Sequence, residues 1–208
     1  NYFTHFIKKF LKFVDYFKHK KSFLIEHKNL KKVTYFKEKK ILYSNKIYIE
    51  GYFESEKYFL DYRKNLIQEF AIKNKFIVKN NKYINMLKDS NSISIHIRRN
   101  RFVEPKIFSD RGSEAKKDIS LDDIFAYIYK SIAYFENNIQ NPKFFIWSNN
   151  FVDLDKIFDK KKFIFIENNN IAMDFYLFNF AKHFIVSPST FHWWGAWLNT
   201  NHEKIIYH

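Results

Sequence analysis

The chain has 208 residues, 46% of them hydrophobic and 21% aromatic, which is enough for one ample core or two small ones and excludes a disordered chain. It has no cysteine, which rules out a disulfide framework, thiolate zinc and a cysteine nucleophile and fits a reducing, cytoplasmic setting; no run approaches the roughly 18 apolar residues that cross a bilayer. The net charge of +14 attracts polyanions (nucleic acid, anionic headgroups, phosphorylated substrates), although over-used Lys, Asn, Ile, Phe and Tyr also follow from an AT-rich coding sequence, and solvated lysines keep an aromatic-rich chain soluble.

In chain order, Phe3, Phe6, Ile7, Phe10, Val14 and Phe17 recur at helical spacing. Lys8, Lys9 and Lys12 interrupt that stripe, so it does not read as a signal peptide, and it either packs on a core or rests on a membrane surface. Residues 33–36 and 46–53 read as strands, and 55–75 as a helix with Phe59, Tyr62, Leu66 and Phe70 on one face. From residue 92 the pattern sharpens. Strands are expected at 92–97, 143–148, 163–166, 183–187 and 204–207. Between them fall helices from the Ser120/Asp123 capping box to about residue 137, near 154–158, at 173–182 and at 190–198. Short apolar strands alternating with helices indicate a parallel sheet with βαβ crossovers. The stretch 80–92 is the expected joint, giving an N-terminal portion at 1–85 and a Rossmann-type domain at 86–208.

Ligands of open α/β sheets bind outside the carboxyl ends of the strands, and the chemistry-bearing residues of this chain gather there. His96, Arg98 and Arg99 leave one strand, Ser148 and Asn149 a second, and Ser187, Ser189 and Thr190 a third. Paired guanidiniums present rigid bidentate donors suited to a diphosphate, and hydroxyls with free N–H groups at a helix start bind anions, although a basic turn and a plain N-cap leave the same traces. Trp193 and Trp197 share a helix face, which favours packing on the sheet over a free stacking platform. Asp174 either caps its helix or contacts a nucleotide, and His183 at a helix–strand junction reads as structural. With Gly51, Gly112 and Gly195 the only glycines, neither a P-loop nor a dinucleotide fingerprint can be written, so arginines and hydroxyls must carry any phosphate binding.

GYFESEKYF at 51–59, SIHIRR at 94–99, FFIWSNN at 144–150, and the run from DFYL at 174–177 to SPSTFHWWGAWLN at 187–199 together resemble the α-1,2-fucosyltransferase family. The resemblance implies an α/β, GT-B-like fold, with a C-terminal Rossmann-type sheet carrying helices on both faces and a smaller N-terminal α/β half. It implies an inverting, metal-independent glycosyltransferase that moves L-fucose from GDP-fucose to a galactoside hydroxyl, with no cofactor. Its acceptor would be an oligosaccharide or lipid-linked glycan in lipopolysaccharide or capsule biosynthesis, handled in the cytoplasm at the inner-membrane face by peripheral membrane contact. On this reading Arg98 or Arg99 stabilises the departing diphosphate, and His96, Arg98, Arg99, Ser148, Asn149, Asp174, Ser187, Ser189 and Thr190 bind the donor; Glu104 is the candidate base, the alternative being a late proton transfer that needs no strong base. Three departures stand out: Asn100 and Arg101 where the family has Gly-Asp, the absence of the family's Gly-rich opening (hence an N-terminal half expected to be incomplete), and Pro188 and His192 in place of Asn and Ser. The rival readings are another GDP-sugar donor and a non-catalytic basic, aromatic module for nucleic acid or anionic glycan. The scattered basic residues and the lack of an RNA-binding motif speak against the module, and no nucleic-acid partner is expected.

Overall fold

The computed structural model describes residues 7, 9–10, 23–25, 48–50, 53, 55–77, 81–99 and 121–208. The chain parts into two compact units, 1–64 and 65–208, a boundary earlier than the one read at residue 85. In the first unit, β1 (Phe23–Ile25) pairs in parallel with β2 (Tyr48–Glu50). β2 lies within the strand read at 46–53, whereas β1 falls in a stretch where no period was legible. The expected strand at 33–36 lies outside the described residues, and of the expected N-terminal helix only Ile7, Lys9 and Phe10 are described, as helical.

The single helix read at 55–75 is instead a series of short turns. 3-10 turns at Glu56–Tyr58 and Leu60–Tyr62 precede α1 (Arg63–Glu69), and another 3-10 turn follows at Asn74–Phe76. Short helices persist in water mainly by burying an apolar face. Here Tyr62 is 65% exposed and Phe70 44% exposed, so the periodic stripe has little cover to hold one continuous helix.

The second unit is built on a five-stranded, all-parallel sheet in the order β5-β4-β3-β6-β7. Its strands are β3 (Asn91–Ile97), β4 (Pro142–Ser148), β5 (Phe163–Phe165), β6 (His183–Ile185) and β7 (Ile206–Tyr207). α2 (Lys82–Lys88) precedes β3, α3 (Leu121–Asn138) links β3 to β4, and α4 (Leu154–Ile157) links β4 to β5. α5 (Ile171–Leu177) with a 3-10 turn at Phe178–Phe180 leads to β6, and α6 (Thr190–Leu198) leads to β7. The expected α/β architecture and its parallel strands are present.

Side-chain alternation divides the core into two layers. Ile93, Ile95 and Ile97 of β3, with Phe144 and Ile146 of β4, meet Ile124, Ile128, Ile132 and Phe135 of α3 and Leu154 of α4. Phe145 and Trp147, pointing the other way, meet Leu87 of α2, Met173 and Leu177 of α5, and Ala196 of α6. Helices therefore cover both faces, as the resemblance implied. Local chemistry sets the helix starts: Asn170 accepts from Met173 N at 2.8 Å, and Asn81 from Tyr83 N at 3.0 Å. Asn141 and Asn168, at φ 48° and 63°, make the left-handed turns into β4 and α5 that asparagine tolerates. No helix among the described residues is long and apolar enough to cross a membrane.

A candidate donor site at the sheet crevice

The first strand of this sheet lies in its middle, the next two in sequence are laid to one side of it, and the last two to the other. Chain direction across the sheet therefore reverses between β3 and β6, the switch point where crevices form in such folds. The ladders show where β3 and β6 part. β3 stays paired with β4 as far as Ile97 and Ser148, but its pairing with β6 stops at Ile95 and Ile185. Val186 N then donates to Tyr207 O at 2.9 Å, which draws β6 toward β7.

Four groups of the predicted residues meet at this carboxyl edge. Ser187 Oγ donates to the carbonyl of His96, joining the exit of β3 to the turn before α6. Ser148 Oγ donates to Ile97 O at 2.8 Å, and Arg99 N donates to Asn149 Oδ1 at 2.9 Å. Ser189 caps α6, its hydroxyl accepting from His192 N. Ser148 and Ser187 thus spend their hydroxyls on holding the strand ends together, and Ser189 spends its own on capping α6. Arg99 is likewise engaged, its Nη1 donating to Val152 O. Arg98 and Thr190 are exposed at the rim, and Arg98 has no hydrogen bond or ion pair to any described residue. Glu104 lies outside the described residues. Asp174 sits in α5, whose N-terminus falls at the same carboxyl edge because the helix runs back antiparallel to the strands.

Two arginines bring positive charge to this edge: Arg98, which is exposed, and Arg99, which is half-buried. His96 is buried between the rings of Phe191 and His192, each 5.8 Å away. Burial and then the neighbouring Arg98 charge lower its pKa to about 4, so it is neutral at ordinary pH and leaves Arg98 as the cation. Burial also holds His192 well below the usual histidine range. The Asp174 carboxyl is raised to about 6 by burial, opposed by the Asn169 amide, and its Oδ1 has no hydrogen-bond partner among the described residues. His183 accepts from Ile205 N at 3.1 Å at the far end of β6, a structural role. Among the described residues no three His, Asp or Glu side chains gather as a metal site would require.

Residues 8–207 match the profile of Glycosyl transferase family 11. The chain belongs to this family. Its parallel sheet is accordingly a Rossmann-like half of GT-B type, and the resemblance read from the motifs holds at family level. Two relatives from Escherichia coli are similar over part of their length. One, an alpha-1,2-colitosyltransferase, is 35% identical over 118 residues, 54% of this chain and 38% of the relative. The other, the O-antigen biosynthesis glycosyltransferase WbnK, is 28% identical over 123 residues, 57% of this chain and 38% of the relative. The match to this family 11 chain thus spans less than half the length of either relative.

Two features of the site were not legible in the sequence. One is the hydrogen bond between Ser94 Oγ and His192 Nε2, 2.7 Å long and bridging residues 98 positions apart. The other is the tie between Asn81 Nδ2 and Asn169 Oδ1 at 2.8 Å, which joins the starts of α2 and α5. Only the departure of His192 from the family pattern hinted at the first.

Proposed function

We propose that this chain carries the donor-binding half of a glycosyltransferase that moves L-fucose from GDP-fucose to a galactoside hydroxyl, forming an α-1,2 linkage on a bacterial surface glycan. The observation that carries the reading is the place where β3 and β6 part, with Arg98 exposed at one rim and the start of α6 at the other, tied together by Ser187 and His96. A diphosphate there would meet a guanidinium on one side and Thr190 with the first N–H groups of α6 on the other. The acceptor oxygen attacks the anomeric carbon as its bond to the β-phosphate oxygen breaks, inverting that carbon. Negative charge grows on the leaving GDP, and Arg98 meets it without metal, a preorganised contact of about 3–4 kcal/mol. The acceptor proton passes to Glu104 or leaves late without a strong base. The acceptor is an oligosaccharide or lipid-linked glycan at the cytoplasmic face of the inner membrane, where the basic surface attracts anionic headgroups.

Incubation with GDP-fucose and a β-galactoside, with GDP release as the readout, tests this. Arg98→Ala should slow release by about a hundredfold or more. Equal rates for variant and wild type remove Arg98 from the mechanism. The similarity to the colitosyltransferase favours a second reading, transfer of colitose from its activated donor. Turnover with that donor and none with GDP-fucose would select it.

A further inference from the structure

We propose that His192 is a positioning residue for the donor diphosphate, acting through its buried hydrogen bond to Ser94 to fix the first turn of α6 against β3. The inference rests on reading the crevice as the donor site.

Ser94 lies in β3 on the same side as His96, and His192 lies in the first turn of α6 just after Thr190. Both side chains are fully buried, with Ser94 Oγ 2.7 Å from His192 Nε2. The bond therefore connects the strand that leads to Arg98 with the turn that carries Thr190. Ser94 itself pairs with Phe184 in the β3–β6 ladder, one residue before that pairing stops, so the bond extends the strand contact outward to the first turn of α6, which the ladder does not reach.

Packing does not explain an imidazole at this place. The ring is surrounded by Phe178 at 5.0 Å, Phe184 at 5.7 Å and His96 at 5.8 Å. Its Nδ1 is buried without a hydrogen-bond partner among the described residues, a loss that a leucine of similar bulk would avoid. The compensating feature is the Nε2 contact to Ser94, which the neutral ring makes with either tautomer because the serine hydroxyl can donate or accept. Together with the Ser187–His96 tie, this bond sets the span between the guanidinium at one rim and the N–H groups at the other. If the bond is lost, the first turn of α6 keeps its Ser189 cap but samples other positions. Only the fraction with the correct span then binds a diphosphate tightly.

The test measures GDP affinity by titration calorimetry, and the melting transition, for wild type, Ser94→Ala, His192→Leu and His192→Gln. Glutamine places its terminal amide near the Nε2 position and can keep the bond to Ser94. Ser94→Ala and His192→Leu should remain folded and bind GDP about tenfold more weakly, as expected for one lost buried hydrogen bond. His192→Gln should stay near wild type, and its advantage over His192→Leu should vanish in a Ser94→Ala background. Folded Ser94→Ala that binds GDP as wild type does overturns the proposal, including in the case where His192→Leu fails to fold. A His192→Gln protein as weak as His192→Leu overturns it as well. Wild type that fails to bind GDP overturns the donor-site reading itself, and this inference with it.

Discussion

Replacing Gly195 with alanine sets two effects of opposite sign against each other. Gly195 is in the last turns of α6, where alanine is the better helix former by about 1 kcal/mol. A Cβ at this position, however, would lie 2.8 Å from Cγ and 3.0 Å from Cβ of Phe178, and closer still to its Cδ2. The ring cannot turn away cheaply, being buried and packed against Trp147 at 5.0 Å, His192 at 5.0 Å and Phe191 at 5.5 Å. Overpacking a core in this way costs about 1–3 kcal/mol, so the net effect should be a loss of up to roughly 2 kcal/mol. In a unit of this size, that corresponds to a Tm lower by up to about 6 °C. Thermal denaturation followed by circular dichroism measures it, and Phe178→Leu in the same chain should recover part of the loss by making room. A Tm that rises in the single variant would refute the reasoning, because helix propensity would then have outweighed the contact.

Arg99→Ala should cut GDP release less than Arg98→Ala and lower stability instead, by about 0.5–1.5 kcal/mol, since its guanidinium is spent on the Val152 carbonyl; rate and melting curves on the two variants separate these roles. Asp174→Asn should stabilise the protein near pH 7.5 and converge with wild type below about pH 4. The folded-state pKa of about 6 lies above the ordinary 3.8, so the cost of the buried charge grows as pH rises through that window. Urea unfolding at the two pH values checks this, and an equal difference at both would remove Asp174 as its source. Tyr127→Phe should destabilise by about 1 kcal/mol, because its hydroxyl reaches Val186 O at 3.1 Å and Tyr207 O at 2.8 Å and so braces the exit of β6; an unchanged denaturant midpoint would contradict that role.

The sheet was largely legible because β3 carries a period-two signal and the other strands are short apolar runs set between helical segments. In β3, the isoleucines at 93, 95 and 97 marked one face. The opposite face was also buried, which alternation did not foretell: Ser92 is satisfied by Leu87 O at 2.8 Å and Ser94 by His192, so polar residues fill an interior layer. The segment 55–75 misled for the reverse reason. Its apolar spacing was helical, but spacing does not state whether a surface exists to cover the stripe. At the crevice, strand order was enough to bring His96, Ser148 and Ser187 to one edge. A serine at a strand end looks the same in sequence whether its hydroxyl meets a phosphate or a neighbouring carbonyl, so the bracing roles of Ser148 and Ser187 emerged only from contacts. Bonds such as that from Ser94 to His192 join residues far apart in the chain and leave no local pattern.

A crystal structure of the protein with GDP tests the central claim most directly. The account predicts the diphosphate in the crevice between β3 and β6, with its oxygens within hydrogen-bonding distance of the Arg98 guanidinium and of the first turn of α6. A nucleotide bound on another surface, or a crevice left empty at millimolar GDP, would contradict it.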